Sequence, residues 1–260
     1  MPLRLFSALR QLVKIQTGTQ PGPHIQEGSG ARRLHFNNGV VQSSMCLDDP
    51  WALDLSYTRA MMGFLLFNPA PRHILIIGLG GGSLPKYCYR LFPQARITTV
   101  EIDPAVIALR NEFQIPPDDE RFQVVEADAC NYLAQDNLKA DVILLDGYDA
   151  QGLPACLCSE AFYAQCQQAL SAQGVLVANL WGGEPNRVMY LDRLRGVFND
   201  QVWWSRPHGS SSLVVHALNN EHPLPPWSRL MTQAQTLDVR YGLNLALVVV
   251  DWRQRPDPSG

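Results

Sequence analysis

"IIGLGGGS", Ile76 to Ser83, sets four glycines directly behind large apolar side chains, and nothing else in the 260-residue chain resembles it. The preceding "HILIIGL" reads as a buried strand, and "SLPKYCYRLF" as a helix that opens just after Gly78, Gly80, Gly81 and Gly82. Without Cβ atoms such a turn takes positive φ and lets a ligand approach the backbone closely. In an open parallel sheet, the first strand-to-helix turn is the usual place for that ligand.

Downstream the same pattern repeats. "RITTVEID" is a second strand, "PAVIALRNEF" a helix with Pro104 in its first turn, "FQVVEADA" a third strand and "ADVILLDGYD" a fourth. "SEAFYAQCQQALSAQG" reads as a helix ending at Gly174, and "VLVANLW" as a fifth strand. Strands alternating with helices mean a parallel sheet covered on both faces. After the helix "NRVMYLDRLRGVF", "QVWWSRP" and "SSLVVHAL" face each other as an antiparallel pair. Trp203 and Trp204 alternate faces there, one expected in the core and the other on the surface or a channel wall, while His73 and His208 read as surface histidines. The tail begins as a helix; "LALVVVDW" fits a strand or a helix, since periodicity does not arbitrate so short an apolar run, and is read as helix.

Upstream, residues 16 to 50 are rich in Gly, Pro, Asn and Ser, and Asn38-Gly39 marks a hairpin turn in a small β unit. "WALDLSYTRAMMGFLLF" then spaces Leu53, Tyr57, Met61, Phe64 and Leu65 at helical intervals and leads to the Pro-rich "NPAPRH". That stretch divides the chain into residues 1–68, a β unit with its linking helix, and residues 69–260.

Hydrophobic residues make up 46% of the chain, charged residues 17%, and the formal charge is −3. Lys and Arg are scattered among acids, so no nucleic-acid partner is expected, and a polycationic substrate fits better. The six cysteines form no CxxC pair and no histidine stands at zinc-ligand spacing, so they read as buried thiols in a reducing compartment, with no metal. "MPLRLFSALRQLVKIQ" is interrupted by Arg4, Arg10 and Lys14, unlike a signal peptide. No segment approaches the roughly 20 apolar residues of a membrane span. A soluble cytoplasmic protein is the expectation.

Carboxylates mark the strand ends. Glu101 lies near the roughly 20-residue offset at which an acid accepts hydrogen bonds from ribose hydroxyls. Asp103 either faces the same way or caps the next helix. Asp128, followed by Ala129, ends the third strand where a carboxylate accepts from an adenine amino group, or caps a helix. Loop, Glu101 and Asp128 together outline an adenosine site. The dinucleotide fingerprint wants Gly or Ala where Ser83 stands, and no second mononucleotide-binding half follows, which favours S-adenosyl chemistry over NAD. Asp146 and Asp149 end the fourth strand, where the sulfonium of such a cofactor would lie. An amine substrate with a pKa near 10 must lose a proton before it attacks, and Asp149 can accept it; both carboxylates can equally cap the loop or pair with an arginine.

"HILIIGLGGGS", "TTVEIDPAVI", "FQVVEADA", "DVILLDGYDAQGLPA" and "NNGVVQSS" resemble the successive motifs of the spermidine synthase (polyamine aminopropyltransferase) family over roughly residues 35 to 218. The resemblance implies an α/β S-adenosylmethionine-dependent methyltransferase-like Rossmann fold over residues 69–260, nucleoside-binding and catalytic, with a C-terminal helical extension and a small N-terminal β unit, in a homodimer. It implies decarboxylated S-adenosylmethionine as donor, with Gln42, Glu101 and Asp128 around the nucleoside and Asp146 beside it, Tyr57 lining the acceptor channel, and Asp149 as catalytic aspartate. Three positions depart from the pattern. Gly81 stands where the family carries an acid that pairs with the donor's amine, Thr58-Arg59 replaces His-Glu after the tyrosine, and Ala150 replaces a proline after Asp149. Three readings follow: aminopropyl transfer to an amine such as putrescine, methyl transfer from intact S-adenosylmethionine, suggested by Gly81, and a catalytically silent nucleoside-binding homologue.

Overall fold

The structure is a computed structural model that describes residues 22–36, 41–135, 138–149, 151–219, 224–255 and 258. Asn38-Gly39, the N-terminal stretch to residue 21 and Ala150 lie outside the described residues.

Three short strands, β1 (His24–Gly28), β2 (Ala31–His35) and β3 (Val41–Cys46), form an antiparallel sheet in the order β1-β2-β3. The large sheet has seven strands: β4 (His73–Ile77), β5 (Arg96–Glu101), β6 (Phe122–Glu126), β7 (Ala140–Leu145), β8 (Leu170–Leu180), β9 (Val202–Ser205) and β10 (Leu213–Leu218). Their order is β6-β5-β4-β7-β8-β10-β9. The first five run parallel, and β10 then pairs antiparallel with both β8 and β9, so the expected antiparallel ending is present. Chain order reverses between β4 and β7. A crevice therefore opens at their carboxyl ends, where the glycine loop and Asp146 stand.

The pleat explains why these strands read as unbroken apolar runs. Ile74 and Ile76 of β4, Val142 and Leu144 of β7, and Val175 and Val177 of β8 enter one core. Their neighbours Leu75, Ile77, Ile143, Leu145, Leu176 and Ala178 enter the other. Both faces are covered, so no polar alternation survives. The first core takes in Leu34 and Met45 of the small sheet, Leu84 and Cys88 of α2 (Ser83–Leu91), Val106 of α3 (Pro104–Ala108), and Leu230 and Trp252 of α7 (Trp227–Tyr241) and α8 (Leu245–Gln254). The second is roofed by α4 (Ala129–Leu133), α5 (Glu160–Ala169) and α6 (Arg187–Val197). The "LALVVVDW" segment is helical, as read.

Four expectations need correction. The stretch after Pro50 is not one helix: α1 (Ser56–Met61) tightens into a 3₁₀ turn, Met62–Leu66. Its Gly63 lies against the buried His216 ring, whose Nε2 would stand 2.5 Å from any added Cβ. The helix expected to reach Gly174 stops at Ala169, and β8 begins at Leu170 beside a register shift between Ala140 and Val142. Trp203 and Trp204 do alternate faces, but both are buried because the sheet is covered on both sides. His73 is buried as well, its ring nitrogens meeting Lys139 O at 2.7 Å and Thr98 Oγ1 at 3.1 Å. His208 is exposed, as read.

Lys86, on α2, is fully buried. Its ammonium donates to Phe113 O at 2.7 Å and lies 3.2 Å from Met45 Sδ, tying α2 to the small sheet. Burial lowers its pKa from the ordinary 10.5 to about 8, with Asp49 opposing weakly. The unfolded chain thus binds more protons than the folded one between those values, and the group's penalty is full below pH 8 and gone above 10.5. Urea unfolding of wild type and Lys86→Met is expected to show the wild type gaining stability relative to the variant as pH rises through this window; parallel curves would contradict the assignment.

Candidate active site

The glycine loop is shaped by contact. Gly78 has φ of +96° and lies against the Asp146 carbonyl, so no side chain fits there. Gly82 has φ of +68° and backs onto Ile115. At Gly81 the space a Cβ would need is already filled, with Ser43 Oγ and the Phe113 ring each at 2.8 Å.

Glu101 fixes this loop. Its Oε2 accepts from Leu79 N at 2.8 Å and its Oε1 from Asp103 N at 2.9 Å, so the buried carboxylate clamps the end of β4 to the end of β5. Each oxygen keeps a second lone pair. Asp103 caps α3 through Ala105 N at 2.8 Å, and Asp128 caps α4 through Asn131 N at 2.9 Å, with Ala129 as the first residue of that helix. Both caps had been an open alternative in the sequence. Between Glu101 and Asp103, Ile102 is 63% exposed, an apolar surface at the strand end that the sequence reading passed over.

Gln42, Tyr57, Gly78, Gly80, Asp146 and Asp149 line one cleft, joined by Ser43, Tyr148, Asn179 and Trp181. Gly81, Gly82, Glu101, Asp128 and Ala129 lie outside that lining, behind the loop or along the neighbouring strand ends. Asp146 sits at the cleft floor, its Oδ1 accepting from Asn179 Nδ2 at 2.8 Å and its Oδ2 from the Tyr57 hydroxyl at 3.1 Å. Tyr148 braces the same corner, donating to Asn179 O and accepting from Trp181 N, both at 2.7 Å. Burial raises the Asp146 pKa, and the two hydrogen bonds only partly offset it. Burial, then the Asp146 charge, hold Tyr57 well above its ordinary value, so its proton stays on oxygen. Asn179 Oδ1 is buried with no hydrogen-bond partner, an acceptor left over once the amide nitrogen serves Asp146.

Asp149 folds its loop back in an Asx turn, Oδ1 accepting from Gln151 N at 2.7 Å and Gly152 N at 3.0 Å. Only this oxygen of the carboxylate has a hydrogen-bond partner among the described residues. Arg59, whose charge would repel a cation inside the cleft, donates to Leu53 O at 2.6 Å and Asp54 O at 2.8 Å and stays out of the cleft lining. Among the described lining residues there are two carboxylates, Asp146 and Asp149, and no Lys or Arg. A site with this balance attracts cations.

The reading of the cysteines as buried holds for Cys88, Cys158 and Cys166, whereas Cys46 and Cys130 are half-buried and Cys156 is exposed. No helix among the described residues is long and apolar enough to cross a membrane.

The profile described as "Spermine/spermidine synthase domain" matches residues 54–186. A polyamine aminopropyltransferase of Chromobacterium violaceum is 39% identical over 235 residues, covering 90% of each chain. One of Neisseria meningitidis serogroup B is 39% identical over 226 residues, covering 86% of each. Among solved structures, human methyltransferase-like protein 13 in complex with SAH matches with a TM-score of 0.65 at 25% identity, covering 72% of this chain and 93% of that one. A probable spermidine synthase from Corynebacterium glutamicum matches with a TM-score of 0.68 at 20% identity, covering 82% and 83%, a likeness of fold.

Removing the Tyr57 hydroxyl takes one hydrogen bond from the Asp146 carboxylate. In Tyr57→Phe, the Asp146 pKa read from carboxyl ¹³C NMR should rise above that of the wild type. An unchanged or lower value would mean that the two groups do not share this bond in solution.

Proposed function

The chain belongs to the spermine/spermidine synthase family, and from that premise we propose that it moves an aminopropyl group from decarboxylated S-adenosylmethionine to an amine acceptor such as putrescine. The observation that carries the proposal is the charge of the cleft: two carboxylates, an orphaned amide oxygen on Asn179 and no basic side chain among its described lining residues. Such a site suits a sulfonium and an ammonium, and the chain's organisation around the β4–β7 switch point suits an adenosine beside them.

In this reading Glu101 receives the ribose hydroxyls on its remaining lone pairs, and Asp128 with Ala129 holds the adenine edge. Gln42, Gly78 and Gly80 line the rest of the nucleoside's path, and Gly81 and Gly82 serve it from behind by letting the loop pack closely. Asp146 lies beside the sulfonium, kept in place by Tyr57 and Asn179. Tyr57 lines the acceptor channel. The free oxygen of Asp149 takes a proton from the acceptor ammonium. The uncharged nitrogen then attacks the aminopropyl carbon, the carbon–sulfur bond breaks with its electrons going to sulfur, and methylthioadenosine leaves. Alignment of nitrogen, carbon and sulfur supplies most of the acceleration. The same reading carries a homodimer in the cytoplasm and no metal in the transfer step.

A second reading, methyl transfer from intact S-adenosylmethionine, is favoured by Gly81, where the packed Ser43 and Phe113 leave no room for a carboxylate that would turn the intact donor away. The products separate the two. With decarboxylated donor and putrescine, mass spectrometry should show methylthioadenosine, and Asp149→Asn should lower kcat by about 10²-fold or more while methylthioadenosine affinity holds. Adenosylhomocysteine from intact donor, or an unimpaired Asp149→Asn, would overturn the proposal.

A further inference from the structure

Asp128 and Cys130 stand at the start of α4, and Cys156 on the 3₁₀ turn Ala155–Cys158 that follows the Asp149 loop. The sequence gives no metal-ligand spacing for them. The fold nevertheless brings a carboxylate oxygen and two Sγ atoms all within 4.8 Å of one another. Both thiols are free, Cys130 half-buried and Cys156 exposed. Asp128 uses Oδ1 for its helix cap, leaving Oδ2 for a further partner.

We propose that Asp128, Cys130 and Cys156 form a binding site for a thiophilic divalent cation of the zinc class, its fourth position open to solvent. Tetrahedral zinc with bonds of about 2.3 Å to sulfur and about 2.1 Å to oxygen holds its ligand atoms roughly 3.5–3.8 Å apart, so these three need close by only about 1 Å. Two sulfurs select against magnesium and calcium, which take oxygen ligands. The exposed Cys156 supplies the entry path. On binding, the S–H bonds of Cys130 and Cys156 break, two protons pass to solvent, and no electron changes hands. The bound cation ties the turn after the Asp149 loop to α4. It also engages the carboxylate assigned to adenine, so cation and nucleoside compete; this last consequence rests on the proposed function, whereas the cation site does not.

Cobalt(II) is the probe, because thiolate coordination gives it a charge-transfer band. Titrating the reduced, full-length protein should raise that band to saturation at one equivalent, and zinc should bleach it. Cys156→Ser and Cys130→Ser should abolish the band, and Asp128→Asn should keep part of it with affinity weakened at least tenfold, by analogy with about 10–100-fold losses from metal-site changes. Circular dichroism shows whether each variant is folded. No band in the folded wild type, a band that persists in Cys156→Ser, or an intact mass lower by two hydrogens because the thiols have closed to a disulfide, overturns the proposal. Adding methylthioadenosine should weaken cobalt binding. A cobalt band indifferent to the nucleoside upholds the cation site and removes Asp128 from the adenine pocket.

Discussion

Everything at the crevice depends on one carboxylate held by two backbone N–H groups. Glu101 takes Leu79 N on one oxygen and Asp103 N on the other. Hydrogen bonds to a charged acceptor contribute roughly 1.5–3 kcal/mol each, comparable to the extra entropy, about 0.5–1 kcal/mol per residue, that glycines lose on ordering relative to alanine. With Leu79 fixed, Gly78 is pressed onto the Asp146 carbonyl, and the ends of β4 and β7 are locked together. Asp146 in turn gathers Tyr57 from α1 and Asn179 from β8. A continuous polar line therefore crosses the switch point from β5 to β8.

The charges along this line serve different ends. Glu101, Asp103 and Asp128 each satisfy backbone N–H groups that would otherwise lack partners at strand-to-helix turns. Asp146 receives side-chain donors only, and burial raises its pKa. Asp149 lies between these cases, structural through one oxygen and available through the other. A carboxylate that also shapes its loop has a fixed position, which general-base chemistry demands. The absence of Lys and Arg from the described cleft lining, with Arg59 held on carbonyls outside it, leaves the negative field uncompensated until a cation arrives.

Much of this was legible because the signals are local. Fully covered parallel strands show as apolar runs, the glycine loop follows the first of them, and Asp103 before Pro104 has the pattern of a capped helix start. What escaped depends on residues distant in the chain. Gly63, in the 3₁₀ turn that ends the helix, has no room for a side chain because His216, from β10, fills the space beside it. Trp203, Trp204 and His73 are buried by helices and loops that strand periodicity cannot report. Asn179 was visible only as the single amide in "VLVANLW", and its partner Asp146 comes from the neighbouring strand. The meeting of Asp128, Cys130 and Cys156 has no counterpart in spacing at all.

Under the proposed function, Glu101 organises the loop and grips the nucleoside with the same carboxylate. A crystal structure of the protein with methylthioadenosine tests it most directly. The account predicts ribose hydroxyls within hydrogen-bond distance of Glu101 while the Leu79 and Asp103 N–H bonds persist. A nucleoside bound elsewhere, or one whose sugar leaves Glu101 with those two backbone partners alone, would contradict it.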